Sequence, residues 1–87
     1  MNDETVAVES ETIWPADSDD VEEAIVSNWF VREGTAVTEG DPIAEIQIEK
    51  VSLDVPAPAT GEVSELLIDE QGEFERGDTL ARISADQ

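Results

Sequence analysis

A chain of 87 residues has room for one small domain, so we expect a single core and no deep catalytic cleft. The chain carries 23 acidic residues against four basic ones, and its net charge of −19 excludes nucleic acid and anionic membrane surfaces as partners. Cysteine and histidine are both absent, which excludes disulfides, thiolate sites and the commonest neutral-pH acid–base group, so any redox or transfer chemistry has to come from an attached group.

The chain shows neither a signal peptide nor an apolar run long enough to span a membrane, and we expect a soluble cytoplasmic protein. Residues 1–10 form an acidic lead that we expect to be partly disordered, although Val6 and Val8 are placed to extend an edge strand. We expect the domain to span residues 11–84 and a short tail to follow at residues 85–87.

The first half of the domain begins with a predicted short strand at residues 11–14, which Pro15 ends. Residues 16–23 form an acidic loop in which Asp17 and Asp19 hint at a calcium site. The glycine and the terminal glutamate of an EF-hand loop are missing, so we expect a solvated loop and no metal. Residues 24–31 predict a strand with apolar side chains on both faces, which indicates either cover on both sides or a β-bulge.

An internal repeat determines the predicted architecture. Residues 31–46 recur as residues 68–83 with an offset of 37, including the pairs Gly40-Asp41 and Gly77-Asp78. In each pair the glycine suits a positive φ and the aspartate suits a bond back to a nearby amide. The earlier glycines of the two copies differ by one position, which predicts that the first turns differ by one residue. Two such copies predict an all-β fold, a flattened sandwich or barrel of two antiparallel half-sheets related by a pseudo-two-fold axis.

The stretch between the copies predicts a tight hairpin. Apolar and polar residues alternate over residues 44–48 and again over 51–55, which is typical of half-buried strands. Only Glu49 and Lys50 separate the two runs, and prolines end the second run. Lys50 is the only lysine in the chain, and at a hairpin tip its amine is held in water. The offset of 37 moves Lys50 onto Gln87, so the pseudo-two-fold places both chain ends opposite this tip.

This stretch resembles the lipoyl-attachment motif of the carrier domains in 2-oxoacid dehydrogenase acyltransferases. The resemblance covers roughly residues 11–83, and its most specific part is made of Ala44-Glu45-Ile46, Glu49-Lys50-Val51, Asp54-Val55-Pro56-Ala57-Pro58 and Gly61. It implies that Lys50 receives lipoic acid in amide linkage. The residues that we expect to form a recognition surface around the tip are Gln47, Glu49, Val51, Ser52 and Asp54.

The resemblance also implies a function without catalysis by the chain itself. Lipoamide on Lys50 would take an acyl group from a thiamine-dependent 2-oxoacid decarboxylase, pass it to coenzyme A at an acyltransferase and be reoxidised by dihydrolipoyl dehydrogenase. A lipoate ligase or lipoyltransferase would attach the group. The domain would contribute tethering, which raises the effective concentration of the carried group at each partner.

Three other interpretations stay open beside this one. A biotinyl carrier of a carboxylase resembles a lipoyl carrier in fold, but its lysine usually lies between methionines, and here the neighbours are Glu49 and Val51. The carrier of glycine cleavage is longer as a family. The third is a binding module that is never modified. Gln47 and Ile48 stand where the acyltransferase family more often has an acidic residue and threonine, so the motif leaves open which ligase and which dehydrogenase recognise the tip.

The acidity of the chain suggests a hypothesis about its surroundings. Such a composition with a single lysine resembles proteins from high-salt cytoplasms, in which acidic surfaces stay hydrated and their repulsion is screened. The hypothesis is that the protein is of this halophilic type, either as a free-standing carrier or as one domain of a longer protein.

Overall fold

The computed structural model describes residues 4–16 and 20–85 and has two four-stranded antiparallel sheets with one short helix. The sheet orders are β1-β8-β6-β3 and β5-β4-β2-β7. The elements are β1 (Glu4–Glu9), α1 (Ser10–Ile13), β2 (Glu23–Trp29), β3 (Ala36–Val37), β4 (Pro42–Ile48), β5 (Val51–Pro56), β6 (Gly61–Leu66), β7 (Glu73–Glu75) and β8 (Thr79–Ala85). The predicted all-β sandwich of two half-sheets is confirmed.

The internal repeat appears in the structure as a pseudo-two-fold relation between the sheets. Strands β4 and β8 begin and end 37 residues apart, and β3 precedes β4 as β7 precedes β8. The short strands are exchanged between the halves, because β3 pairs with β6 and β7 pairs with β2. Each sheet is therefore completed by a strand from the other half of the chain.

The first turns of the two copies have the same length, so the predicted difference of one residue is wrong. Gly34 has a φ of +92°, and Gln71, which lies 37 residues later, has a φ of +70°. The second copy therefore places a glutamine where the first uses glycine. Gly72 is needed for a different reason, since a Cβ there would lie 2.7 Å from the Asp69 carbonyl oxygen.

The second pair of turns follows the sequence prediction. Gly40 and Gly77 have φ values of +93° and +96°. Asp41 accepts a hydrogen bond from the Thr38 N–H at 3.0 Å, and Asp78 accepts one from the Glu75 N–H at 2.8 Å. Turn geometry thus accounts for both Gly-Asp pairs.

The core between the sheets is aliphatic with one aromatic corner. Trp14 and Phe74 are buried and meet edge to face, with ring centroids 6.2 Å apart. The rest of the core consists of buried aliphatic side chains, which come from every strand except β7: Val8, Val26, Val37, Ile43, Ile46, Ile48, Val55, Val63, Leu80 and Ile83. Burying these side chains is the main stabilising term of so small a domain.

The N-terminal part differs from the prediction. Residues 11–14 do not form a strand, because they belong to α1 and the turn that follows it. The strand lies earlier, at Glu4–Glu9, where it pairs with β8 along the edge of its sheet, so this sheet begins before residue 11. The chain leaves the sheet because Ser10 bonds the neighbouring turn: its N–H donates to the Asp78 carbonyl at 3.0 Å. This tertiary contact overrides the strand propensity of Ile13 and Trp14.

Strand β2 carries the β-bulge that its two-sided apolar pattern allowed, since its register against β4 shifts between Val26 and Asn28. Asp17 and Asp19, which hinted at a calcium loop, lie outside the described residues. Within residues 4–16 and 20–85, acidic side chains nowhere gather in a group of three that could hold a metal ion. The same part of the chain contains no helix of the length and apolar character needed to cross a membrane.

Candidate functional site: the turn at Glu49 and Lys50

The turn that carries Lys50 is anchored by a regular ladder. Strands β4 and β5 pair from Ala44 and Val55 up to Ile48 and Val51, which leaves Glu49 and Lys50 as the only residues outside the ladder. The side chain of Ile48 is fully buried directly before the turn. The predicted two-residue hairpin is therefore confirmed, and it starts from a buried residue of the core.

The backbone of the turn adopts a conformation that non-glycine residues rarely take. Glu49 has a φ of +56°, in the left-handed region, which costs an L-residue about 1–2 kcal/mol. The side-chain amide of Gln47 donates a hydrogen bond to the Glu49 carbonyl oxygen at 3.0 Å. This bond spans the bend and supports it from the preceding strand.

Lys50 itself is exposed, and no ion pair to its amine is found within residues 4–16 and 20–85. Two of the other three cations are held on the surface: Arg76 pairs with Glu11 at 3.1 Å and Arg82 with Glu65 at 2.7 Å. The amine of Lys50 is thus available to a reagent from solvent. An exposed primary amine on a tight turn fits covalent attachment of a carboxylic acid as an amide.

The residues expected to form a recognition surface divide into two groups. Gln47 and Glu49 line a groove of about 280 Å³ beside the turn. Val51, Ser52 and Asp54 lie on the other strand of the hairpin and do not line that groove, although all three are exposed. Asp54 is directly opposite Glu45 in the ladder, which places two like charges on facing strands.

Sequence reasoning missed the other wall of the groove. Strands β2 and β7 bring Glu23, Ile25 and Glu73 next to the turn, and Ile25 pairs with Gln47 in the ladder between β2 and β4. No signal in the sequence singles out these residues, since β7 reaches the site only through the exchange of strands between the two halves.

A larger cavity of about 490 Å³ lies at the pseudo-two-fold equivalent of this groove, between β3, β6 and the end of β8. It is lined mainly by small residues, and Thr60, Gly61 and Ser84 stand there in place of Glu23, Ala24 and Gln47. Lys50, the single lysine of the chain, is not among its lining residues. The candidate site is therefore the smaller groove and its turn.

In the sheet that contains the Lys50 hairpin, every charged residue on the strands is acidic. Strands β2, β4, β5 and β7 carry no lysine or arginine, and their acidic residues are Glu23, Glu45, Asp54, Glu73 and Glu75. The other sheet contains Arg82, which neutralises Glu65. The amine of Lys50 is consequently the one cation at the tip of an acidic sheet.

Comparison with known proteins bears on this site. A protein-family model described as "Biotin-requiring enzyme", which covers biotin and lipoyl attachment domains, matches residues 10–83. The chain is 34% identical over 65 residues to the dihydrolipoyllysine-residue acetyltransferase component of the pyruvate dehydrogenase complex of Staphylococcus epidermidis, and 33% identical over 81 residues to the lipoamide acyltransferase component of the branched-chain alpha-keto acid dehydrogenase complex of Bacillus subtilis. These matches cover 75% and 93% of the chain, but only 15% and 19% of the relatives.

Solved structures share the fold. The urea carboxylase of Kluyveromyces lactis superimposes with a TM-score of 0.73 at 23% identity, over 95% of this chain and 6% of that protein. A single-chain, multi-domain long-chain acyl-CoA carboxylase gives the same TM-score at 14% identity, over 100% of this chain and 8% of that one. At these identities the likeness concerns the fold.

The match of the family model over most of the chain and the identities of one third to acyltransferase components agree with the exposed lysine on its two-residue turn. The chain belongs to the biotin/lipoyl attachment family, whose members carry lipoate or biotin covalently.

Proposed function

We propose that the chain is a lipoyl carrier domain in which the amine of Lys50 is the attachment point of lipoic acid, and that it serves a 2-oxoacid dehydrogenase-type complex. The observation that carries the proposal is the exposed, unpaired amine of Lys50 on the Glu49–Lys50 turn. The similarity to a dihydrolipoyllysine-residue acetyltransferase and to a lipoamide acyltransferase supports lipoate as the attached group.

The residues of the chain present the attached group and do not transform it. The buried Ile48 fixes the base of the hairpin, so the arm starts from a defined point in space. Bound lipoate would supply a reversible dithiol–disulfide couple that the cysteine-free chain lacks. Amide formation removes the charge of Lys50, which leaves three cations against 23 acidic residues, a net charge of 3 − 23 = −20. The charged side chains that line the groove beside the tip are then all carboxylates.

The proposed partners follow from the same reasoning. They are a lipoate ligase or lipoyltransferase, a thiamine-dependent 2-oxoacid decarboxylase, an acyltransferase and dihydrolipoyl dehydrogenase. Because the chain spans less than a fifth of the relatives' length, these partners belong to the proposal and not to the family assignment.

A biotinyl carrier is the second candidate, favoured by one observation, the fold shared with two carboxylases. The flanks of the lysine speak against it, since Glu49 and Val51 replace the methionines that usually surround a biotinylated lysine, and the only methionine is Met1.

The deciding experiment is the intact mass of the protein after incubation with a lipoate ligase, lipoate and ATP, in parallel with a biotin ligase, biotin and ATP. We expect a lipoyl-sized increase on the natural chain and none on Lys50→Arg, which keeps the charge but offers no amine that the ligase can acylate. A biotin-sized increase alone would assign the chain to the biotinyl carriers. The absence of any increase would leave an unmodified binding module and contradict the proposal.

A further inference from the structure

We propose that Gln47 is a positioning residue, whose side-chain amide holds the Glu49–Lys50 turn in the conformation that the attaching enzyme binds. The inference rests on the proposed function in so far as Lys50 is the attachment site. It assigns to Gln47 a task that depends on its donor group and not on its charge.

The first step is the strain in the turn. Glu49 is one of two non-glycine residues with a positive φ in the described parts of the chain, and the other is Gln71. The backbone at Gln71 is secured from β2, because its N–H donates to the Val26 carbonyl at 2.7 Å. The turn at Glu49 lies just beyond the last pair of its ladder, Ile48 with Val51, so a side-chain bond to the turn adds to the support that the ladder gives the strained residue.

The second step is the side-chain hydrogen bond that supports the turn at Glu49. Gln47 lies on the exposed side of β4, separated from the turn by the buried Ile48. Its Nε2 donates to the Glu49 carbonyl oxygen at 3.0 Å, and among the described side chains no other bonds to the backbone of Glu49 or Lys50. A carbonyl oxygen accepts only from a donor, so a carboxylate of the same length cannot replace the amide.

The third step is the consequence for attachment. An enzyme that acylates Lys50 binds the turn in one conformation, and its apparent affinity falls in proportion to the fraction of molecules in that conformation. Loss of a single hydrogen bond lowers that fraction by about three- to tenfold if the turn then opens freely. The effect belongs in KM for the carrier, because the chemistry on a correctly bound amine is unchanged.

The test uses two substitutions that remove the donor in different ways. Gln47→Met keeps the length of the side chain without any charge, and Gln47→Glu keeps its shape but adds a negative charge. Gln71→Glu is the matched control, because it removes the same kind of bond, from Gln71 Nε2 to the Ser27 carbonyl at 2.7 Å, and adds the same charge away from the hairpin.

Two readouts are taken on each variant. The first is amide hydrogen exchange at Val51, which closes the hairpin opposite Ile48, on the unmodified protein. The second is the pair of constants kcat and KM for the carrier with a lipoate ligase. We expect both Gln47 variants to exchange about three- to tenfold faster at Val51, and we expect Gln47→Met to raise KM by a similar factor with kcat preserved. The KM of Gln47→Glu does not enter this test, because an acidic residue is what the acyltransferase family more often has at this position. We expect Gln71→Glu to leave both readouts at the natural values.

The outcomes separate this inference from the proposed function. If the amide of Val51 exchanges in Gln47→Met at the same rate as in the natural chain, the inference is overturned. It is also overturned if exchange becomes faster in Gln47→Glu alone, since the charge would then be responsible. A natural chain that no ligase modifies contradicts the proposed function, while the exchange measurement still decides whether Gln47 holds the turn. Faster exchange with an unchanged KM overturns the role in attachment.

Discussion

At the scale of single residues, the two halves of the molecule provide different hydrogen-bond acceptors for the glycine N–H of their equivalent turns. In the first half the N–H of Gly40 donates to the carbonyl of Ala57 at 2.9 Å. In the second half the equivalent N–H, that of Gly77, donates to the hydroxyl of Ser10 at 2.8 Å. A side chain thus replaces a backbone carbonyl, which explains why Ser10 is fully buried although it is polar.

This arrangement makes Ser10 a sensitive position. We expect Ser10→Ala to lower the free energy of unfolding by about 1–2 kcal/mol, because the Gly77 N–H loses its acceptor in a partly buried place. Urea denaturation followed by tryptophan fluorescence measures the change. Ser64→Ala is the control, since the Ser64 hydroxyl bonds the Arg82 carbonyl at 3.2 Å on the surface and its loss should stay within about 0.5 kcal/mol. Equal effects of the two substitutions would contradict this account.

The candidate site was predictable in part at this scale. The sequence predicted the hairpin and Lys50 at its tip, because alternation and a solitary lysine are local signals. The left-handed backbone of Glu49 was not predictable, since nothing in a glutamate indicates a positive φ. The bond from Gln47 follows only from that geometry.

At the scale of the elements, the halves hold each other through reciprocal bonds. The carboxylate of Glu70 accepts from the Trp29 N–H at 3.1 Å, and the carboxylate of Glu33 accepts from the Leu66 N–H at the same distance. The residues of these two bonds are related by the offset of 37. The sequence showed the repeat and hence two similar half-sheets, but the exchange of β3 and β7 depends on packing between distant segments and could not be predicted from the pattern.

The close approach of β6 to β8 provides a test at this scale. A Cβ on Gly61 would overlap the Ser84 carbonyl oxygen of the neighbouring strand, so Gly61→Ala should force these strands apart and cost about 1–3 kcal/mol. Thermal unfolding and chemical-shift changes along β8 check this result.

The control for Gly61 is a substitution in open space. A Cβ on Gly40 meets nothing within 4 Å, so Gly40→Ala carries only the cost of its φ of +93° and should leave the shifts of β8 unchanged. Displacement of β8 in Gly40→Ala, or its absence in Gly61→Ala, would refute the packing argument.

At the scale of the whole molecule, charge opposes folding. The net charge is −19, and like charges face each other across strands at Glu45 and Asp54 and at Glu23 and Glu75. The pseudo-two-fold equivalents of Glu45 and Asp54 are Arg82 and Ala7, which pair across β8 and β1, and those of Glu23 and Glu75 are Thr60 and Thr38. The fold therefore does not require acidic residues at such places. Repulsion of this kind weakens as salt shortens the screening length from about 30 Å at 0.01 M to about 3 Å at 1 M.

The hypothesis of a halophilic protein becomes a measurable prediction here. We expect the melting temperature to rise continuously from 0.01 M to molar KCl, with the largest gain where the screening length falls below the spacing of surface charges. The double variant Asp54→Lys with Glu75→Lys has a net charge of −19 + 4 = −15 and relieves both facing pairs, so its dependence on KCl should be weaker. A melting temperature that ignores KCl in the natural chain would reject the hypothesis.

The pairing of Glu4 with Ala85 stands, by the pseudo-two-fold relation, where Ile48 pairs with Val51. At one of these two equivalent positions the strands are joined by the Glu49–Lys50 turn, and at the other the paired strand ends are not joined to each other. A circularly permuted chain, joined by a short turn between residues 85 and 4 and cut at the hairpin, would keep every strand pair of the two sheets. Its arm would then stand on the opposite sheet if the new turn carried the lysine. The architecture offers two corners for an arm, and the order of the chain selects one.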